Sequence, residues 1–328
     1  MGTVRRRNFL VAVGALLGAP RTFAQTARPV SEISRVGMLF SGSPATAKTH
    51  EDAFVQGLAA FGRKEGVNVV FHRYYADGDV NRLPALADQL VRSRPNVIFA
   101  PTAAATDAAQ KATNTIPIVF SVHTAPLARG TVASLARPVA NATGFANVNT
   151  ELVPKRLDLL REILPRLKRL GSLGGGGVFA EEQLTHLRDH ATRLGIQVVS
   201  SDPDPSYEQA LAAIQRARVD ALFVIPSIPN VNNRYRIAEF ATSQRLPTVH
   251  GGAEMVEAGG LVSYAADHRD LARRAAEYVD RILKGEKPAD LPVQLPTKFE
   301  LVLNTRTAKE LGIVIPQSIL LRADRVIE

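Results

Sequence analysis

Three stretches decide the fold: RVGMLF-SGSP at Arg35–Pro44, EDAFVQGLAAFG at Glu51–Gly62 and NVVFHRY at Asn68–Tyr74. A short apolar run ends in small hydroxyl and glycine residues. A helical pattern follows, with Phe54, Leu58 and Phe61 on one face, and then a second β-branched run. Runs without strict polar alternation suit strands covered on both faces, the usual condition of a parallel sheet. Strand, helix, strand in that order is one βαβ unit.

The unit recurs. Further strands are expected at Asn96–Pro101, Ile116–Val122, Leu170–Gly174, Gln197–Ser200, Ala221–Pro226, Thr248–His250, Leu261–Tyr264 and Phe299–Leu303. Helices are expected at Leu83–Arg92, Thr102–Asn114, Glu151–Leu164 and Asp270–Lys284; Pro165 stops the third, and Gly285 suits the position after the fourth. Units of this kind run from Arg35 to about Ala146. Asn147–Lys155 reads as a crossing, and a second series runs from Leu170 to about Tyr264. The fold class is therefore α/β, with two doubly wound parallel-sheet lobes joined by a hinge.

The N-terminus carries a different signal. Arg5-Arg6-Arg7-Asn8-Phe9-Leu10 opens an apolar run to Ala19, and Thr22-Phe23-Ala24 supplies small residues before a cut site. These are the three parts of a secretory signal. The run Phe9–Ala19 is well short of the ~20 residues that span a bilayer. Arg6-Arg7-x-Phe9-Leu10 matches the twin-arginine pattern, and Gly14, Gly18 and Arg21 favour that route. Residues 1–24 are expected to be removed after Ala24, leaving a soluble periplasmic chain. No cysteine is present, which excludes a lipid anchor on Cys, a disulfide scaffold and thiolate chemistry.

The formal charge of +9 includes four signal arginines, so the remaining chain carries +5. Its Lys and Arg are interspersed with acids, and no basic arm or stripe marks a nucleic-acid partner.

In doubly wound sheets, ligands bind outside the carboxyl ends of the strands. The residues there are Ser41, Gly42 and Ser43; Thr102 and Ala103; His123 and Thr124; Gly144; Gly175; Ser227; Gly251; and Tyr264. Helix-start N–H groups beside Ser and Thr hydroxyls suit a carboxylate or another small anion. The same residue types also serve as caps and turns.

Reaction chemistry is not visible. Gly174–Gly177 lacks the Lys-Ser/Thr of a phosphate loop and the spacing of a dinucleotide site. His186 and His190 share a helix face, but alternation with Arg188 and Arg193 marks a solvated surface rather than a metal site. Glu181 and Glu182 are adjacent and point apart, so they make no acid/base pair. No Gly-x-Ser-x-Gly elbow occurs. No catalytic residue, metal or cofactor is expected.

The chain resembles the exported substrate-binding proteins of ATP-driven uptake transporters, in the branch with tryptophan- and phenylalanine-type binders. The matching stretches include RLPALADQLV (Arg82–Val91), IPIVF (Ile116–Phe120), VASLARP (Val132–Pro138), KRLDLLREILP (Lys155–Pro165), EAGGLVSY (Glu257–Tyr264), YVDRILKGEKPADLP (Tyr278–Pro292), PTKFELVL (Pro296–Leu303) and ADRVIE (Ala323–Glu328). The resemblance implies a type I periplasmic-binding fold with three crossovers at the hinge. Lobe 1 would comprise 34–147 plus about 265–293, and lobe 2 148–264 plus about 294–328. It implies a monomer that captures a small organic solute by hinge closure and docks on a membrane permease. A sensory partner of a membrane receptor is the alternative, and an exported α/β enzyme a more distant one.

Two departures bear on the ligand. The family often has Asp-Pro after the fourth strand, where this chain has Ala125-Pro126. It often has Asn-Pro after the first strand of the second lobe, where this chain has Gly174-Gly175. Ser41, Ser43 and Thr102 are retained as the carboxylate end. The expectation is a carboxylate, aromatic acid or amino-acid-like solute, with an organic acid favoured over a free zwitterion. Asn147, Asn149 and Asn230 are the side chains available to replace the lost groups.

Overall fold

The computed structural model describes residues 33–176, 178–203 and 206–328; the export segment expected at 1–24 lies outside them. The first lobe's sheet and its helices are built from β1 (Ser34–Phe40), α1 (Pro44–Ala60), β2 (Val69–Tyr75), α2 (Leu83–Arg92), β3 (Val97–Phe99), α3 (Ala103–Ala112), β4 (Ile118–Thr124) and β5 (Ala142–Asn147). Its strands lie in the order β2-β1-β3-β4-β5, all parallel.

The chain then forms α4 (Val153–Ile163), β6 (Arg169–Leu173), α5 (Val178–Arg193), β7 (Gln197–Ser201), α6 (Tyr207–Ala217), β8 (Ala221–Val224), α7 (Ile228–Asn232), α8 (Arg234–Ser243), β9 (Thr248–His250), α9 (Ala253–Glu257) and β10 (Val262–Ala266). After these come α10 (His268–Leu283), β11 (Phe299–Asn304), α11 (Thr305–Leu311), α12 (Gln317–Leu320) and β12 (Arg325–Ile327). The second sheet has the order β12-β11-β10-β9-β8-β6-β7.

Both sheets bury both faces, and the alternation is legible residue by residue. In β1, Val36, Met38 and Phe40 join the core under α1 and α10, while Leu39 joins the core on the other face. In β8, Ala221 and Phe223 point to one core, and Leu222 and Val224 to the other. Phe54 of α1 stacks on Phe99 with ring centroids 3.8 Å apart.

Two strands differ from the sequence expectation. β5 has the composition ATGFAN, poor in β-branched residues. It forms because Gly144, at φ +147°, lets the backbone lie flush against Phe120; a Cβ there would overlap the Phe120 carbonyl oxygen. β12 is three residues at the sheet edge, paired parallel to β11. The parallel pattern also has one exception: β11 runs antiparallel to β10. β11 enters from the first lobe along 292–298 without a crossover helix, so nothing forces it parallel.

The chain passes between the lobes three times: after β5, after β10, and ahead of β11. The second passage delivers α10 back to the first lobe, where Leu271, Ala275, Tyr278 and Val279 bury into its core. Gln294 of the third passage extends the first sheet, its N–H donating to the Gly144 carbonyl at 3.0 Å and its carbonyl accepting from Ala146 N–H at 2.9 Å. Asp280, 2% exposed, accepts from Arg63 Nε at 2.9 Å and so ties α10 to the segment that follows α1.

Asp280→Ala removes the carboxylate that Arg63 and Lys284 share and is expected to cost about 2 kcal/mol, less than the ~3–5 kcal/mol of a fully buried pair because both cations keep solvent contact. The paired change Arg63→Met with Asp280→Leu should cost less than the single one. Urea unfolding of the wild type and the two variants checks this.

Candidate functional site

The strand ends of the two sheets face one cavity of about 750 Å³. That is within the ~300–1,000 Å³ typical of small-molecule sites. The first lobe contributes Phe40, Ser41 and Gly42 after β1, Thr102 and Ala103 after β3, and Val122 and Thr124 at the end of β4. The second contributes Gly175, Ser227, Gly251 and, on β10, Ala265, and the passages contribute Asn149 and Asp267. Ser41 Oγ and Thr102 Oγ1 are hydrogen-bonded at 2.8 Å, joining two strand ends.

Eight of the twelve residues singled out from the sequence therefore line the cavity: Ser41, Gly42, Thr102, Ala103, Thr124, Gly175, Ser227 and Gly251. Four do not. Ser43 is the N-cap of α1, its Oγ accepting from Thr46 N–H at 3.3 Å. His123 is fully buried on the far side of β4, because Val122 and Thr124 take the cleft side and strand alternation turns the residue between them away. Its Nδ1–H donates to the Thr124 carbonyl at 3.0 Å, and Nε2 meets Thr131 Oγ1 at 3.0 Å. Gly144 lies inside the first sheet with its Cα against Phe120. Tyr264 alternates with Ala265, so its ring leaves the cleft and stacks on Phe299 at 6.0 Å.

The glycines have local reasons. A Cβ on Gly175 would overlap Ser227, and one on Gly251 would meet Pro226 and come within 3.0 Å of Arg156 Cζ. Their bareness packs the second lobe's loops against one another.

The lobes touch across the cavity. The Arg129 guanidinium, from the loop after β4, lies 5.3 Å from the ring centroid of Phe179 on α5. Arg129 is itself paired with Asp107 of α3. Burial pushes the Asp107 carboxyl up, but the nearby His123 imidazole and the paired Arg129 guanidinium outweigh it and hold the group below the usual carboxylate range. On the acidic side, Glu257 pairs with Arg269 at 3.1 Å, and Asp267 caps α10 by accepting from Asp270 N–H at 2.9 Å. Glu254 has no ion-pair partner among the described residues.

The three asparagines have different fates. Asn230 is saturated: Nδ2 donates to the carbonyls of Gly174 and Ile225, both at 2.8 Å, and Oδ1 accepts from Tyr207 Oη–H at 2.8 Å. It braces the second lobe. Asn147 Oδ1 is buried without a partner. Asn149 lines the cavity and is bound through its oxygens by Arg156.

Residues 39–327 match the family described as ABC transporter substrate binding protein. The chain belongs to this family. It is 26% identical over 261 residues to the "Tyrosine-binding protein" of Clostridioides difficile (strain R20291), covering 79% of this chain and 75% of that one. Among solved structures, it is similar to the ABC domain in complex with L-Trp from Streptococcus pneumonia, with 26% identity, TM-score 0.81 and coverage of 90% of this chain and 99% of that one. A conserved domain protein from Vibrio cholerae gives 27% identity, TM-score 0.82 and coverage of 90% and 100%. The fold is that of the type I periplasmic binding proteins.

Several cleft residues of this substrate-binding protein left no signal in the sequence. Arg129 stands in a turn-rich loop, Phe179 opens a helix, and Glu254 reads as the acidic first turn of α9. Each gains its place only when the lobes face each other. Among the described residues, no helix is long and apolar enough to cross a membrane, and no cluster of three metal-ligating side chains occurs.

Gly144→Ala is expected to destabilise the protein by about 3 kcal/mol or more, through overpacking and an unfavourable φ, and chemical unfolding measures this. His250 gives a pH test. Burial, aided by the charge of Arg156, pushes it down to about 3. The unfolded chain then binds the proton more tightly than the folded one, so stability is complete above pH ~6.5 and falls as pH drops below it. Between about pH 6 and 4, His250→Gln should flatten the stability curve by about 1.4 kcal/mol per pH unit relative to wild type.

Proposed function

We propose that this chain is the periplasmic receptor of an ATP-driven importer and captures an aromatic amino acid in the cavity between its lobes. The observation that carries the proposal is the 750 Å³ cavity, lined from both sheets' strand ends, in a chain of the substrate-binding family. The ligands of the tyrosine-binding relative and of the L-Trp complex support the aromatic class. Phe40, Phe179 and Tyr235 give the cavity apolar surface to cover a ring. The acid lost at Ala125 has a substitute: Glu254 offers a half-buried, unpaired carboxylate for an ammonium. That restores the free amino acid as a ligand.

The twelve residues named from the sequence divide accordingly. The eight at the cavity are proposed to contact ligand, and Ser43, His123, Gly144 and Tyr264 to hold the walls. Lobe 1 would move as 34–147 with about 265–293, and lobe 2 as 148–264 with about 294–328. Closure is proposed to bury the solute and present a closed monomer to the permease. A shift from 1:99 to 99:1 takes about 5.5 kcal/mol of differential binding. Residues 1–24 would direct export and be removed after Ala24.

A thermal-shift and calorimetry panel on residues 25–328 tests the proposal. L-Trp, L-Tyr or L-Phe at about 100 times its dissociation constant should add about 2.7 kcal/mol and raise the midpoint by roughly 5 °C or more. A panel in which only sugars shift the midpoint overturns it. Glu254→Gln should weaken the amino acid about tenfold relative to its deaminated acid.

A further inference from the structure

Arg156 is a guanidinium in an unusual position. It is on α4 and fully buried. Nε donates to the Tyr264 carbonyl at 2.7 Å, Nη1 to the Asn149 carbonyl at 3.1 Å, and Nη2 to Asn149 Oδ1 at 2.6 Å. All three acceptors are neutral. Among the described residues no carboxylate lies within 4.0 Å of it, and its neighbour His250 is also kept uncharged. Buried charges are ordinarily paired, because desolvation of an isolated ion is costly. The charge without a counter-ion stands directly behind the cavity lining: a Cβ on Gly251 would be 3.0 Å from Arg156 Cζ, and Gly251 and Asn149 both line the cavity.

The guanidinium also dictates how Asn149 is turned. Arginine donates and does not accept, so the amide oxygen must face Arg156 and the amide Nδ2 becomes the free end. Asn149 is 8% exposed, and among the described residues its Nδ2 has no hydrogen-bond partner. Asn149 lines the cavity, so this free donor is open to an acceptor on a bound solute. The geometry points to Asn149 as the residue that receives the ligand's carboxylate, with Arg156 as the positioning residue that orients the amide and supplies the opposite charge. This inference rests on the receptor role proposed above. It moves the carboxylate end from Ser41 and Thr102, whose hydroxyls already bond each other, to the passage after β5.

The test measures binding of L-tryptophan and L-tryptophanamide to the mature chain by calorimetry, for wild type, Asn149→Ala and Asn149→Asp, with ligand-free melting temperatures. Wild type should bind the acid at least about tenfold more tightly than the amide, the scale of a charge-assisted hydrogen bond. Asn149→Ala should reduce that preference. Asn149→Asp should abolish it, because the new carboxylate takes the guanidinium's charge, and should raise the ligand-free melting temperature. An acid preference that survives both substitutions overturns the inference and leaves the receptor role standing. If wild type binds neither compound, the aromatic amino-acid assignment fails, and the ligand-free melting point decides. A rise in Asn149→Asp supports an unbalanced charge seeking an anion, and an unchanged or lower one overturns it.

Discussion

A parallel strand covered on both faces has one place to put polar chemistry, and that is its end. In this protein the apolar side chains of β1, β3, β4 and β8 fill cores above and below each sheet, with Ser121 and His123 of β4 as buried polar exceptions. Hydroxyls, amides and charges are pushed to the loops at the carboxyl ends. Two such sheets brought end to end by three passages must enclose a polar-rimmed, apolar-walled space. The cavity is thus a consequence of how the cores are buried.

The passages between the lobes would otherwise leave carbonyl groups unsatisfied away from solvent. Arg156 meets that need by donating to the Asn149 carbonyl in the first passage and to the Tyr264 carbonyl in β10, just ahead of the second. A long, planar, donor-only side chain suits this task. Its burial pushes the guanidinium down to about 9, still protonated at neutral pH. The third passage is fixed differently, by backbone bonds from Gln294 to the edge of β5 and by Tyr278 Oη–H donating to the Pro292 carbonyl at 2.8 Å.

The cleft mouth is organised by an ionic group that belongs to the first lobe. Asp107 gathers Arg129 and, through Thr131, the buried His123. Arg129 then meets Phe179 of the other lobe. A histidine at a strand end thereby becomes a brace for the residue that crosses the gap. The β4 register shift between Phe120 and His123 accompanies this arrangement.

How much was legible follows from the range of the forces. Apolar periodicity marked ten strands and the main helices, and the βαβ order marked two lobes, because covering both faces of a strand leaves a local pattern. The ATGFAN strand escaped, since its pairing depends on Gly144 fitting against Phe120, a contact across the sheet. Among the site residues, Ser41, Gly42, Thr102, Ala103, Thr124, Gly175, Ser227 and Gly251 could be placed by position after a strand. His123 and Tyr264 could not, because one residue of register decides which face a side chain takes. Arg129, Glu254 and the turned amide of Asn149 have no local signature at all. By itself, the sequence determined the layered fold and the two-lobe plan, which rest on composition and near-neighbour periodicity. Only the tertiary structure decided which polar groups face the cavity and which charge stands unbalanced behind it, because those depend on residues from separate passages meeting at one point.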